Sequence, residues 1–169
     1  MSARLPRPDP IQPGSGQESV WSFPRPAIAE PSDAHIRIEF DGRVIAETRR
    51  SARVIETSHP PAYYVHPDDF DASALKPNAR RTLCEWKGPA SYFDVVGPNK
   101  TAEAAAWRYP TPVPSFQPIA GYIAVYPQLM DACFVNGERA TPQDGAFYGG
   151  WITNAIVGPF KGPPGTEWW

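Results

Sequence analysis

The stretch that decides the fold class is HIRIEFDGRVIAET, residues His35–Thr48. Its Ile36, Ile38 and Phe40 alternate with polar residues, which is the two-residue period of a strand with one buried face. The Asp-Gly pair at positions 41–42 is the type of pair that a two-residue hairpin turn prefers, and the alternation resumes after it. The stretch therefore predicts a β-hairpin that rests one face on a core.

The rest of the chain repeats this pattern in short pieces. The chain has 22 prolines, and proline breaks helix interiors, so short strands and turns are favoured over a helical bundle. EAAAWRYP is compatible with helix or strand, and we favour strand because it ends in Trp-Arg-Tyr-Pro. A turn is predicted at KGPA, residues 87–90, a second hairpin at Asn136-Gly137, and a short helical turn after His66. Further strands are predicted in ARVIET, AYYVHP, RTLCEW, SYFDVV and IAGYIAVY. The sequence predicts a mainly β fold.

The length and the proline distribution predict one domain and one tail. A chain of 169 residues is enough for a single core. Residues 1–33 contain seven prolines and little periodicity, so we expect a proline-rich tail or arm, anchored on the domain by VWSFPRP. Residues 34–169 are then a single domain, and its Gly-, Pro- and Trp-rich C-terminal segment wraps the domain edge.

Charge and hydropathy exclude several partner classes. The net charge is −2 and the 16 basic residues are scattered, which is unlike a nucleic-acid-binding surface. The apolar runs are short and the N-terminus lacks the apolar core of an export signal, so we expect a cytoplasmic protein without a membrane partner. The sequence does not indicate an oligomeric state.

Metal ligands are few and badly spaced. His35, His59 and His66 show no metal-binding spacing, and Cys84 and Cys133 lie too far apart to form a paired motif. We therefore expect no bound metal and no cofactor. The histidines at 59 and 66 each precede a proline, which is typical of loops.

Two further motifs each have a functional and a structural interpretation. Asp69 and Asp71 have the spacing with which nucleotidyltransferases hold two cations. The same two residues are also compatible with acids that cap a short helix. The thiol of Cys84, with Lys87 nearby, is a candidate nucleophile, yet a free cysteine in a strand is more often a packing group. We favour the structural interpretation of both motifs.

The feature that most strongly suggests a function is a group of aromatic residues. Five aromatic residues fall within about 45 positions, on strands that would be neighbours if they pair in sequence order. They are Tyr64, Trp86, Tyr92, Trp107 and Tyr109. Such residues form either a core or the wall of a pocket for planar or cationic ligands, and taken alone the core is favoured. A turn at KGPA would hold Lys87 at the rim, where it can anchor an anion or carbonyl, or form an imine.

Several stretches resemble one known family. They are ARVIETSHPPAYYVHPDDF, CEWKGPASYFDV, AAAWRYPTP and IAGYIAVY, and they are similar to the bacterial and fungal domain of unknown function 427. The family's short motif is matched by Cys84, Trp86, Lys87, Gly88, Ala90 and Tyr92, while Glu85 stands where proline is common.

The resemblance implies a fold and a disputed activity. The fold is similar to the β-tent, a pair of antiparallel sheets joined at one edge, as in B-type methionine sulfoxide reductases and the thalidomide-binding domain of cereblon. Many of those relatives hold zinc, whereas this chain lacks their paired cysteine motifs, so we expect a β-tent-like fold with no zinc at the apex. The family also carries a nucleotidyltransferase label, although this sequence has no triphosphate-binding loop.

Three hypotheses about function follow. The first is a small-molecule-binding domain, with or without catalytic activity, whose ligand the sequence does not identify. The second is a non-catalytic module that binds a protein or peptide through the same aromatic residues. The third is a metal-dependent nucleotidyltransferase. The predicted ligand-binding residues are Arg53, Tyr64, Trp86, Lys87, Tyr92, Trp107 and Tyr109.

Overall fold

The computed structural model describes residues 7–169, and the part of the predicted tail at residues 1–6 lies outside it. In the described range the strands are β1 (Glu18–Ser19), β2 (Ile28–Ser32), β3 (Ile36–Phe40), β4 (Arg43–Thr48), β5 (Ser51–Ile55), β6 (Ala62–Tyr64), β7 (Leu75–Cys84), β8 (Gly88–Val96), β9 (Thr101–Arg108), β10 (Ile123–Val125), β11 (Ala132–Val135), β12 (Glu138–Arg139), β13 (Thr141–Pro142), β14 (Trp151–Ile152) and β15 (Ile156–Val157). Short 3-10 turns lie at Val20–Ser22, Pro67–Asp69, Ala72–Ala74, Pro114–Ile119 and Pro127–Leu129. The predicted mainly β class with short helical turns is confirmed.

The two hairpins predicted at an Asp-Gly and an Asn-Gly pair are confirmed. Strands β3 and β4 pair in antiparallel fashion, and Asp41 and Gly42 between them have φ values of 52° and 76°. Strands β11 and β12 pair across Asn136 and Gly137, with φ values of 50° and 83°. These left-handed conformations are the ones that the Asp-Gly and Asn-Gly pairs tolerate best.

The hairpin of β7 and β8 turns earlier than predicted. Cys84 pairs with Gly88, so the turn consists of residues 85–87 rather than of KGPA, and Pro89 already lies in β8 opposite Leu83. Gly88 has a φ of 110°, which a residue with a side chain rarely adopts. Gly88 therefore follows the turn directly. The predicted turn ended at residue 90, three residues after the end of the observed turn.

The strands form several sheets. Two sheets have four strands, in the orders β10-β9-β8-β7 and β12-β11-β3-β4, and a third has the order β2-β5-β6. Strand β13 pairs with β14 in antiparallel fashion, while β1 and β15 are parallel. The pairs within the three larger sheets are antiparallel, as expected. A tent-like relation between two main sheets remains a prediction.

One backbone bridge joins β6 to β10. Val65 and Ile123 exchange both of their backbone hydrogen bonds, at 2.8 and 2.9 Å, so the three-stranded sheet continues into the sheet that contains β9 and β8. Because side chains alternate between faces, Val65 and Ile123 enter one core, whereas Tyr64 and Trp107 enter a second core on the opposite face. This continuity brings the predicted aromatic residues together.

The segment predicted as an arm is packed from residue 18 onward. Strand β1 pairs with β15 and strand β2 pairs with β5, so both take part in sheets. Val20 and Phe23, in the predicted anchor, are buried with Ile55 and Ile156. The predicted anchor therefore packs on the rest of the chain, and the division of the chain at residue 33 remains a prediction.

No helix in the described range is long and apolar enough to cross a membrane.

Candidate ligand-binding cavity

A cavity of about 330 Å³ opens on the face of the joined sheets that carries the second core. Five of the seven predicted site residues line it: Tyr64, Lys87, Tyr92, Trp107 and Tyr109. Tyr92 on β8 lies directly opposite Trp107 on β9, and Tyr109 follows Trp107 by two positions. Strand register therefore places these aromatic side chains on one face.

The aromatic wall is built around Trp107. Its ring lies 4.5 Å from that of Tyr126, centroid to centroid, and meets the ring of Tyr64 edge-on at 6.3 Å. Its indole Nε1 donates a hydrogen bond of 3.3 Å to the Tyr64 hydroxyl. The sequence analysis did not include Tyr126, which lies at the end of IAGYIAVY.

The buried tyrosines of the wall are neutral at physiological pH. Burial is the main cause that raises the pKa of Tyr64, Tyr109 and Tyr126 above the usual value of 10.0. They therefore present hydroxyl groups and ring faces to the cavity rather than negative charge.

Lys87 is held at the edge of the cavity by the turn that precedes β8. Its backbone carbonyl accepts a hydrogen bond of 3.0 Å from the amide of Val113, and its Nζ lies 5.5 Å from the centre of the Phe116 ring. Within residues 7–169, no carboxylate lies within 4.0 Å of this nitrogen. The ammonium group therefore has no ion-pair partner in the described structure.

His59 is a polar wall residue that the sequence analysis assigned to loop structure. Its side chain is only 19 % exposed, and its Nδ1 accepts a hydrogen bond of 3.2 Å from Nε2 of Gln143. Burial is the first cause that lowers the pKa of His59, and the nearby cations Lys161 and Lys87 lower it further, against the opposing effect of Glu56. His59 is therefore a neutral imidazole at physiological pH.

A further part of the cavity lining comes from the segment 143–150, which carries Gln143, Phe147 and Tyr148. Two glycines let it approach the sheet closely. A Cβ on Gly149 would lie 2.6 Å from Cη2 of Trp107 on β9, and one on Gly150 would lie 2.5 Å from Cγ of Pro60, the residue after His59. The GG pair was visible in the sequence, but its partner residues were not.

Two predicted site residues lie away from this cavity. Arg53 alternates with Ala52 and Val54 on β5 and points to the other face, where it binds Glu18 and Glu30 at 2.6–3.0 Å. These contacts line a separate groove of about 700 Å³.

Trp86 is the second predicted site residue that lies away from the cavity. It lies in the turn before β8, and its side chain is 62 % exposed. The turn begins before Trp86, so the strand alternation that would have aligned it with Cys84 does not reach it.

The two aspartates of the D-x-D motif make local contacts. Asp69 accepts hydrogen bonds from both Arg50 Nε and Nη2, at 2.9 and 3.1 Å, and from Thr48 Oγ1 at 2.6 Å. Asp71 caps the next turn by accepting from the amide of Ser73 at 2.9 Å. Within residues 7–169, no group of three or more His, Cys, Asp or Glu side chains is arranged to hold a metal ion.

The cysteines occupy two environments. Cys133 is buried in the first core, and burial raises the pKa of its thiol to about 12. Cys84 is half-buried and packs against the second core, which contains Tyr64 and Trp107. Its predicted role as a packing group remains a prediction.

Comparison with known proteins identifies one family. The family described as a domain of unknown function (DUF427) matches residues 27–136, which contain the aromatic wall, His59 and Lys87. The segment 143–150 lies beyond this match. No curated protein matches the chain significantly.

Proposed function

This chain belongs to the DUF427 family, and we propose that it binds a small molecule in the cavity between the aromatic wall and the segment 143–150. The observation that carries the proposal is the convergence of Lys87 with four predicted aromatic residues on one open space. Protein interiors are close-packed, so about 330 Å³ of open space beside large aromatic rings is unlike an ordinary core. It lies within the size range of small-molecule sites.

The polar groups of the cavity support the same function. Ligand sites combine apolar walls with a few convergent polar groups that fix the orientation of the ligand. Here the wall supplies flat apolar surface, while His59, Lys87 and Glu56 supply a hydrogen-bonding group and two charges. The proposal concerns binding and assigns no catalytic role.

A screen by thermal shift tests the proposal. The purified chain is incubated with a library of small metabolites, and each compound that raises Tm is titrated by calorimetry against Lys87→Met and Lys76→Met. Both changes remove an ammonium group and keep most of the alkyl stem, but Lys76 is exposed on β7 outside this cavity.

We expect at least one compound whose binding weakens in Lys87→Met and is unchanged in Lys76→Met. The loss should be about 1.5–3 kcal/mol, the range for a hydrogen bond to a charged group, which is roughly 10- to 150-fold in Kd. The proposal is refuted if no compound binds, or if every ligand binds Lys87→Met as tightly as the parent chain.

A further inference from the structure

The cavity contains one positive and one negative side chain that are not paired with each other. Among residues 7–169, Lys87 and Glu56 are the only lysine, arginine, aspartate or glutamate residues that line it. In the described part of the chain, Lys87 has no carboxylate partner. In that same part, the only basic side-chain nitrogen within 4.0 Å of the Glu56 carboxylate is His59 Nε2, at 4.0 Å. Both charges are therefore available to a ligand.

The hydrogen bonds of Gln143 determine which nitrogen of His59 carries the proton. The amide oxygen of Gln143 accepts from the backbone N–H of Gly150 at 3.2 Å, and its Nε2 donates to the carbonyl of Lys161 at 2.8 Å. These two contacts fix the orientation of the amide, so the second Nε2 hydrogen is donated to His59 Nδ1. Nδ1 is an acceptor, and the proton of the neutral ring is on Nε2.

In this tautomer the Nε2–H group of His59 is a hydrogen-bond donor, and the carboxylate of Glu56 nearby is an acceptor. The Nε2 atom of His59 lies 4.0 Å from Oε2 of Glu56, which is too far for a direct hydrogen bond. A ligand that offers an acceptor to His59 and a donor to Glu56 would satisfy both groups. Lys87 lines the same cavity as His59, so its ammonium group adds a positive charge to this site.

From this arrangement we propose that the ligand is a small zwitterion of the amino-acid type with an apolar side chain. Its carboxylate accepts from Lys87 and His59, its ammonium group donates to Glu56, and its side chain packs on the aromatic wall around Trp107. The inference rests on the proposed function, because it names the ligand class of the same cavity. The cavity of about 330 Å³ lies near the lower end of the size range of small-molecule sites, which favours a small ligand.

Three matched probes separate the contributions of the two charges. L-phenylalanine carries both charged groups, 3-phenylpropionate lacks the ammonium group, and phenethylamine lacks the carboxylate. Their Kd values are measured by calorimetry at neutral pH on the full chain. We expect L-phenylalanine to bind at least about tenfold more tightly than either of the other two probes.

Two variants assign each charge to its partner. Glu56→Gln should abolish the preference for L-phenylalanine over 3-phenylpropionate, and Lys87→Met should abolish its preference over phenethylamine. Glu103→Gln on β9 and Lys76→Met on β7 are the controls, since both residues are exposed and outside the cavity. Nitrogen NMR of the histidine rings provides a second measurement, in which His59 should be neutral with its proton on Nε2.

The results distinguish this inference from the proposed function. If 3-phenylpropionate binds as tightly as L-phenylalanine, the cavity is a site for anions, and if phenethylamine does so, it is an aromatic site for cations. Either result overturns the zwitterion. If none of the probes binds, the zwitterion is also wrong, while the proposed function stands as long as the metabolite screen yields a ligand that depends on Lys87. A proton on Nδ1 of His59 would overturn the assigned hydrogen bonds.

Discussion

Substitution of Trp107 and of Trp86 tests whether the first side chain is buried in a packed wall and the second is exposed on the surface. Trp107 is 8 % exposed and donates a hydrogen bond to Tyr64, whereas Trp86 is 62 % exposed in a turn. Both were predicted to line the same pocket. Replacing each by alanine removes the same atoms from two different environments.

The expected magnitudes differ widely. Truncation of a buried tryptophan costs about 3–5 kcal/mol in free energy of unfolding. We expect Trp107→Ala to cost about 3 kcal/mol, at the lower end, because one side of its ring already faces a cavity with no atoms to lose. For a chain of 169 residues this lowers Tm by roughly 6–12 °C. Trp86→Ala should stay within about 0.5 kcal/mol of the parent chain, as is usual for surface positions.

Urea denaturation followed by far-ultraviolet circular dichroism at 25 °C measures both values. Trp107→Phe is a useful intermediate, since it keeps an aromatic ring but loses the donor to Tyr64. It should recover part of the lost stability. The assignment of Trp107 to a packed wall fails if Trp107→Ala costs less than about 1 kcal/mol, or if Trp86→Ala is equally destabilising.

Three further outcomes are expected. Gly149→Ala should lower the free energy of unfolding by about 1–3 kcal/mol, because its Cβ would lie 2.6 Å from the Trp107 ring; unchanged urea stability would contradict this close contact. The hydrogen bonds from Arg50 lower the pKa of Asp69 from the usual 3.8 to about 2. They therefore stabilise the fold above pH 3.8, and this stabilisation is lost as the pH falls towards 2. Asp69→Asn should therefore be less stable than the parent chain at neutral pH, with a difference that shrinks on acidification; a difference independent of pH would argue against the ion pair. Burial raises the pKa of Cys133 to about 12, so iodoacetamide at pH 8 should modify it, as read by peptide mass spectrometry, only after urea is added.

The sequence predicted those features of the site that depend on local pattern. The local pattern placed Tyr64 and Tyr92 in strands, and the Trp-Arg-Tyr-Pro ending favoured a strand at Trp107. The Asp-Gly and Asn-Gly pairs placed two hairpins. Pairing in sequence order then aligned Tyr92 with Trp107, since β8 and β9 are neighbours in the sheet. The mainly β class and the family membership were available before any coordinate was known.

Other features depended on one residue of register. Arg53 was assigned to the pocket, yet it lies one position out of phase with Ala52 and Val54, and a shift of one residue moves a side chain to the other face of a sheet. Trp86 was predicted in the same strand as Cys84, within RTLCEW, but the turn begins between them. Sequence alternation predicts two faces and does not by itself say which face holds a cavity.

Apart from Lys87, which the sequence predicted, the polar groups of the site were revealed only by the tertiary structure. His59 and Gln143 are 84 positions apart, and a His-Pro-Pro sequence gives no sign that its ring meets a glutamine from the C-terminal segment. The same segment also comes close to the rest of the chain at Gly149, beside Trp107, and at Gly150, beside Pro60, where a Cβ would not fit. The sequence by itself determined which residues form strands and turns, since these follow from local periodicity and backbone preference. Which side chains share the cavity followed from the bridge between Val65 and Ile123 and from the return of the C-terminal segment, because only long-range packing brings together groups so distant in the chain.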